Sequence, residues 1–419
     1  MSEWKALSSI TSKIGSGSTP RGGNSVYSDS GISFIRSQNV LDMDFSTENL
    51  AFINDNQAEK LNNVIVEKND ILLNITGDSI ARCTVVPEEI LPARVNQHVS
   101  IIRCKNTEES KYVMYYLQYM KKYLLQISKV GGTRNALTKE AIGKLPIKLS
   151  DDCNKISKIL DNIDQKIQIN NQINQELEDM AKTLYDYWFV QFDFPDQNGK
   201  PYKSSGGKMV YTPELKREIP EGWKVEKLGE LIQLERGVTY AKSDIVEKTT
   251  NDAIGVLRAT NITGNVMDLN DLVYLTKDKI NNKQIIKQNE TLIVMSSGSK
   301  EHLGKNAINY YEEVIGFGAF CSKIVPQKYS AYINTFLQSS EFKGYLLKQS
   351  MGTNINNLTN SDILDCRIIL PNEEILDKFE NMVEKNIKLI SNNYIQNQEL
   401  TQLRDWLLPM LMNGQVKVE

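Results

Sequence analysis

The chain has 419 residues, 40% hydrophobic and 24% charged, with 49 basic against 52 acidic side chains and a formal net charge of −3. Such a balance excludes a disordered chain and a strongly basic surface, and no apolar run approaches the roughly 18 residues needed to cross a bilayer. Five cysteines at least 21 residues apart and only two histidines, His98 and His302, leave no spacing for a zinc site and suit buried free thiols in a reducing compartment.

The N-terminal MSEWKALSSITSK lacks the apolar core of a signal peptide, so the expected location is the cytoplasm. From there to residue 150 the chain is rich in short β-type runs, SFIRSQNV, VIVEKNDILLNIT and HVSIIRC, punctuated by Gly, Asn and Pro. A helical stretch at 111–127 makes this first part mixed α and β. Residues 151–190 then read as one long helix with an apolar seam at Leu160, Ile163, Ile167, Leu177, Ala181, Leu184 and Trp188, interrupted by Asn170 and Asn174. Residues 191–222, with Pro195, Pro201, Pro213, Pro220 and Gly206-Gly207, read as an extended linker.

After the linker the chain repeats itself. ISFIRSQNV at 32–40 returns as IGVLRATNI at 254–262, Trp4-Lys5 as Trp223-Lys224, and NQEL at 174–177 as NQEL at 397–400, with every offset between 219 and 223 and the order kept. Residues 223–371 therefore repeat 1–150, and 372–419 repeat the long helix, with Asn393 and Asn397 on its seam in the places of Asn170 and Asn174. A polar Asn on an apolar seam costs stability and fixes register, so the two helices are expected to pair in one alignment, antiparallel if the duplication follows a two-fold operation. The rod would be about 54 Å long at 1.5 Å per residue. The alternative is that each helix packs only on its own globular part and its Asn residues face solvent. Charge follows the same division: 1–150 carry 18 basic and 15 acidic residues, 151–190 carry 4 and 8, 221–371 carry 17 and 17, and 372–419 carry 5 and 8. A polyanion would meet the globular parts, and the acidic helices suit protein partners.

No catalytic constellation emerges. SGSKEHLGKN at 297–306 has the wrong spacing for a phosphate loop, Ser297 and Lys300 form a lone SxxK, and no motif for methylating an exocyclic amine is present. Asp196 with Glu214 and Lys216 has the residue types of a metal-dependent nuclease but sits in the linker, and His98 reads as a turn or strand residue without a nucleophile. No metal or cofactor site is expected in this chain.

What remains is a duplicated set of polar loops at strand ends. In the first part these carry Ser18, Thr19 and Arg21; Arg36, Gln38 and Asn39; Thr76, Asp78 and Ser79; and Arg134 with Asn135. In the second they carry Arg236, Thr239 and Tyr240; Arg258, Thr260 and Asn261; Ser297, Ser299 and Lys300; and Asn354 with Asn356. Arg reads guanine, Asn and Gln read adenine, and Ser or Thr binds phosphate, so the set suits duplex DNA. For any one of these residues a structural role is favoured over a DNA contact, and for Arg36 and Arg258 that role is an ion pair at a strand end.

Taken together, GSGSTP at 15–20, F-x-R-x-x-N-V at 34–40, GGTRNALTKEAIGKLPI at 131–147, LYDYWFVQFDFP at 184–195 and LRDWLLPMLMNGQV at 403–416 resemble the specificity subunits of type I restriction-modification systems over essentially the whole chain. The resemblance implies an α+β fold of two pseudo-symmetric mixed α/β target-recognition domains separated by an antiparallel two-helix coiled coil. It implies a non-catalytic protein reading a bipartite double-stranded DNA site. It further implies docking of two adenine methyltransferase subunits, which hold S-adenosylmethionine, and of two motor-nuclease subunits in the restricting assembly. The alternatives are a type IIB-like recognition subunit and a coiled-coil adaptor that binds proteins and no DNA.

Overall fold

The computed structural model describes residues 3–20, 22, 26–129, 135–299, 302–351 and 357–418. The chain forms two compact units: unit 1 is Met1–Gln168 with Gln398–Glu419, and unit 2 is Ile169–Asn397. Each contains a segment of both long helices, α1 (Cys153–Tyr185) and α2 (Glu373–Asn413).

Unit 1 stacks two four-stranded sheets. In the first, Thr11–Ser16, Val99–Cys104, Ile71–Asn74 and Cys83–Val85 lie side by side, all antiparallel. In the second the order is Ala51–Ile53, Ile32–Ile35, Ala93–Val95 and Ile65–Val66, with the central pair parallel. The period-two alternation of strand side chains explains the unbroken apolar run of Ile71-Leu72-Leu73. Ile71 and Leu73 pack with Tyr112, Val113 and Leu117 of the helix Ser110–Tyr119. Leu72 faces Phe34, Ile35 and Val95 of the other sheet. The expected helix at 111–127 is broken at Met120, and a second helix, Lys121–Ser128, follows.

Unit 2 repeats both sheets: Ile232–Arg236, Cys321–Pro326, Thr291–Val294 and Asn306–Ile308, then Val273–Thr276, Ala253–Leu257, Ile315–Phe317 and Ile285–Ile286. The parallel pair recurs between Ala253–Leu257 and Ile315–Phe317. Ile293 joins Tyr332 and Phe336 in one core cluster, whereas Leu292 and Val294 join Leu257 and Phe317 in another.

The expectation of an extended linker at 191–222 is corrected. Met209–Thr212 pairs with Arg217–Pro220 as an antiparallel hairpin, and Phe192, Phe194 and Ile219 are buried in the core of unit 2. The Phe194 ring stacks on Trp223 at 4.7 Å, and Phe189, in the π-helical turn Asp186–Val190 that ends α1, meets Phe379 of α2 at 5.0 Å. Proline and glycine suggested an open chain, but Pro213 and Gly206 fall at turns, Pro195 bridges Pro201 and Pro220 ends a strand, while the alternating aromatics supply enough apolar area to fold the segment onto unit 2.

The helices pair within each unit. In unit 2, Asn170 Nδ2 donates to Asn397 Oδ1 and to Gln396 Oε1, Asn393 Nδ2 donates to Asn174 Oδ1, and Asn397 Nδ2 donates to Asn171 Oδ1, all at 2.8 Å. Residue numbers rise on one helix as they fall on the other, so this pairing is antiparallel. Asn170 and Asn174 are buried rather than turned to solvent. In unit 1, Arg404 Nη1 donates to Asp164 Oδ1 at 2.8 Å, and Tyr115 donates its hydroxyl to the other carboxylate oxygen at 2.5 Å. Within unit 1 the helix pairing is thus fixed by a largely buried charge pair.

Candidate nucleic-acid interface

One end of the first sheet in unit 1 gathers the polar loops. Gly17 N–H donates to the Val99 carbonyl at 2.9 Å and Ser18 N–H to the Val95 carbonyl at 3.1 Å. Asn96 N–H donates to Ile35, Ile75 N–H to His98 and Leu137 N–H to Ile75, at 3.0, 2.9 and 2.9 Å. Residues 95–98 are therefore a central loop against which the segments beginning at Gly17, Arg36 and Thr76 are laid, and the segment beginning at Asn135 pairs in turn with Ile75 and Thr76. A Cβ on Gly17 would stand 2.1 Å from the Val95 carbonyl oxygen, so only glycine permits this approach.

Unit 2 contains the same bonds. Gly237 N–H donates to Cys321 at 3.3 Å, Val238 N–H to Phe317 at 2.8 Å, Gly318 N–H to Leu257 at 2.8 Å, Met295 N–H to Phe320 at 2.8 Å and Leu358 N–H to Met295 at 2.7 Å. A Cβ on Gly237 would meet the Gly318 carbonyl oxygen at 2.3 Å. Residues 317–320 are thus the counterpart of 95–98.

The individual side chains divide into exposed groups and groups spent on the fold. Thr19, Gln38, Asp78 and Asn135 are exposed in unit 1, as are Arg236, Thr239, Thr260 and Ser299 in unit 2. Ser18, Thr76, Ser79, Tyr240 and Ser297 are half-buried. Ser299 N–H donates to the Ser297 hydroxyl at 3.2 Å.

Asn39 and Asn261 are buried, and their expected role as base readers is corrected. Asn39 Oδ1 accepts from Arg36 N–H at 3.1 Å and its Nδ2 donates to the carbonyls of Ser46 and Glu48. Asn261 does the same with Arg258, Asp268 and Asn270. An amide with both ends used inside the fold has nothing left to offer a base edge. Arg258 follows the strand-end ion-pair reading, donating to the Asp271 carbonyl at 2.7 Å and pairing with its carboxylate at 3.1 Å, whereas Arg36 donates to the neutral Asn49 carbonyl. Arg21, Arg134, Lys300, Asn354 and Asn356 lie outside the described residues.

Two features of the site escaped the sequence reading. Thr19, Gln97, His98 and Thr76 form one hydrogen-bonded chain: Thr19 Oγ1 with Gln97 Oε1, Gln97 Nε2 with His98 Nε2 at 3.0 Å, and His98 Nδ1 with Thr76 Oγ1 at 2.6 Å. In unit 2 the equivalent of His98 is Phe320, which is 65% exposed. Aligning VNQHVSI with FGAFCSK at the offset of 222 would have revealed the exchange.

The nuclease candidates serve local turns. Asp196 Oδ1 accepts from Asn198 N–H and Lys200 N–H, both at 2.8 Å, and Glu214 accepts from the Thr212 hydroxyl at 2.5 Å. Among the described residues no cluster of three His, Cys, Asp or Glu side chains could hold a metal ion. All five cysteines are buried and free, and burial pushes the Cys104 thiol up to about 11, so it stays protonated and inert at neutral pH. No helix among the described residues is long and apolar enough to cross a membrane.

Comparison with known proteins agrees with this duplicated architecture. The profile of the type I restriction modification DNA specificity domain matches residues 2–179 and again 220–400. The type I restriction enzyme MjaIX specificity subunit of Methanocaldococcus jannaschii is 27% identical over 341 residues, covering 78% of this chain and 74% of that one. The EcoKI specificity subunit of Escherichia coli is 36% identical over 143 residues, 34% of this chain and 31% of that one. The solved S subunit of the type I restriction-modification system from M. genitalium shares the fold, with a TM-score of 0.51 and 12% identity over 98% of this chain and 96% of that one. With both halves matched separately, the chain belongs to the type I restriction-modification DNA specificity family, as a specificity subunit rather than a catalytic one.

Proposed function

We propose that this chain reads a bipartite double-stranded DNA sequence, one half-site per duplicated module, and carries two adenine methyltransferase subunits to it. The single observation that carries this reading is the convergence of the same polar loops around one central loop in both modules, held by the same backbone bonds. Exposed hydroxyl, amide and guanidinium groups at such a loop cluster suit phosphates and base edges in a major groove. The cross-helix bonds of Asn170, Asn174, Asn393 and Asn397 support the role of the paired helices as a spacer with one alignment.

The covalent work is assigned to the partners. The methyltransferases bind S-adenosylmethionine and flip out an adenine on each strand, while this chain orients them. Two motor-nuclease subunits join in a restricting assembly, and all of this belongs in the cytoplasm. Coexpression of the chain with its methyltransferase in a host lacking other adenine methylation, followed by genome-wide mapping of methylated adenines, tests the reading. A split motif with a fixed gap is expected, and the absence of any motif would overturn it.

A further inference from the structure

The two central loops occupy the same place in their modules yet present opposite chemistry. Gln97 and His98 stand where unit 2 has Ala319 and Phe320. In unit 1 the Gln97 amide is held on both sides. Its Oε1 accepts from Thr19, and its Nε2 donates to His98 Nε2, which leaves the ring proton on Nδ1 for Thr76. An amide has two N–H donors and two oxygen lone pairs, so one of each remains. Gln97 is exposed, and that remaining donor and acceptor are the pair that matches adenine N7 and N6 in the major groove.

In unit 2 the side chains of Ala319 and Phe320 can form no such relay. Phe320 is 65% exposed, although its own carbonyl accepts two backbone bonds, from Met295 and Ser296 at 2.8 and 3.1 Å, that fix the loop beneath it. The Tyr240 ring lies 3.7 Å from where a Cβ on Gly318 would stand, which puts a second aromatic beside the same loop. A rigidly mounted, solvent-facing phenyl ring among polar recognition loops suits the one apolar feature of the major groove, the C5-methyl of thymine.

We infer that the residue pairs 97–98 and 319–320 set different base preferences in the two half-sites: Gln97, oriented by His98 and Thr19, reads an adenine, and Phe320 reads a thymine methyl. The inference rests on the DNA-reading function proposed above. His98 is a positioning residue, acting only through Gln97.

The test uses the full chain assembled with its methyltransferase, with the motif mapped first for the wild type. No methylated motif would sink the DNA-reading function itself, and the inference with it. Given a split motif, Gln97→Ala should relax one position of one half-site only, and His98→Ala should relax the same position. Phe320→Ala should relax a thymine in the other half-site, while Phe320→Leu, still apolar, keeps most of the preference. Oligonucleotides carrying deoxyuridine for thymine supply an independent readout that does not depend on the variant folding. Methylation by the wild type should fall roughly 3- to 10-fold on removal of that one methyl, and the Phe320→Ala complex should be indifferent to it. A motif unchanged in these variants, or equal sensitivity of wild type and Phe320→Ala to deoxyuridine, overturns the inference and leaves the DNA-reading function standing.

Discussion

Asn170 and Asn397 meet side chain to side chain, Nδ2 to Oδ1 at 2.8 Å, while Asn397 passes its own amide protons on to Asn171. The arrangement is buried and incompletely satisfied, because Asn170 Oδ1 and Asn174 Nδ2 have no hydrogen-bond partner among the described residues. Such a seam fixes alignment at the expense of stability.

Asn170→Ala is therefore expected to lower the unfolding free energy by about 1–3 kcal/mol, since it orphans Asn397 and Gln396. The double variant Asn170→Leu with Asn397→Leu should recover that loss or exceed it. Urea denaturation of the two variants beside the wild type checks both signs, and a double variant less stable than the single one would contradict the account.

Removing Arg404 should be more costly. Arg404→Met leaves the Asp164 carboxylate buried with only Tyr115 for company, and an uncompensated buried charge typically costs about 3–5 kcal/mol. Asp164→Asn in the same background should return much of it, measured by thermal unfolding at neutral pH.

Glu178 of α1 supplies a pH dependence. It lines a cavity of about 120 Å³ with Tyr310, Gln338, Lys182 and Lys343. Burial, aided by the neighbouring Asp179 charge, pushes its carboxyl up to about 7, against opposing hydrogen bonds from Asn265 and Tyr310. A carboxyl raised by folding contributes its full stability below its ordinary value near 4.5 and loses it as pH rises through about 7. Glu178→Gln should match the wild type near pH 4 and exceed it by about 1–2 kcal/mol at pH 8, allowing for partial solvation. Parallel melting curves across that range decide the matter.

Gly17→Ala and Gly237→Ala place a methyl against main-chain oxygen that cannot swing aside, at 2.1 and 2.3 Å. Each should cost about 2 kcal/mol or more and disable one half-site only. Methylation of half-site variants by the two mutant complexes distinguishes a module-specific loss from general unfolding.

Isolated from its partners, a chain with net charge −3 should bind its DNA weakly and with a steep dependence on salt, strengthening when methyltransferase lysines and arginines join the interface. Titrations between about 50 and 200 mM salt, with and without the partner, measure both slopes. Equally tight binding by the lone chain at both salt concentrations would refute this.

The duplication, the sheet-plus-helix composition and the polar positions on the long helices were all legible in the sequence, because each is written as a period or an offset. The folded state of 191–222 was not, since proline and glycine mark a turn and a disordered tether alike, and only the packing of Phe194 on Trp223 separates them. Asn39 and Asn261 misled for a related reason. Residue type announces hydrogen-bonding capacity, but whether that capacity is spent inward on Ser46 and Asp268 depends on a strand end that no short motif specifies. Phe320 went unnoticed because a lone phenylalanine reads as core until its backbone neighbours are known.

The glycine at 17 and at 237 has a further consequence for how such a gene can change. Each pins the frame of its half through main-chain oxygens of Val95 and Gly318, two residues before Gln97 and Phe320, so under the proposed reading a single codon change at 97 or 320 would alter one letter of one half-site and leave the scaffold as it is.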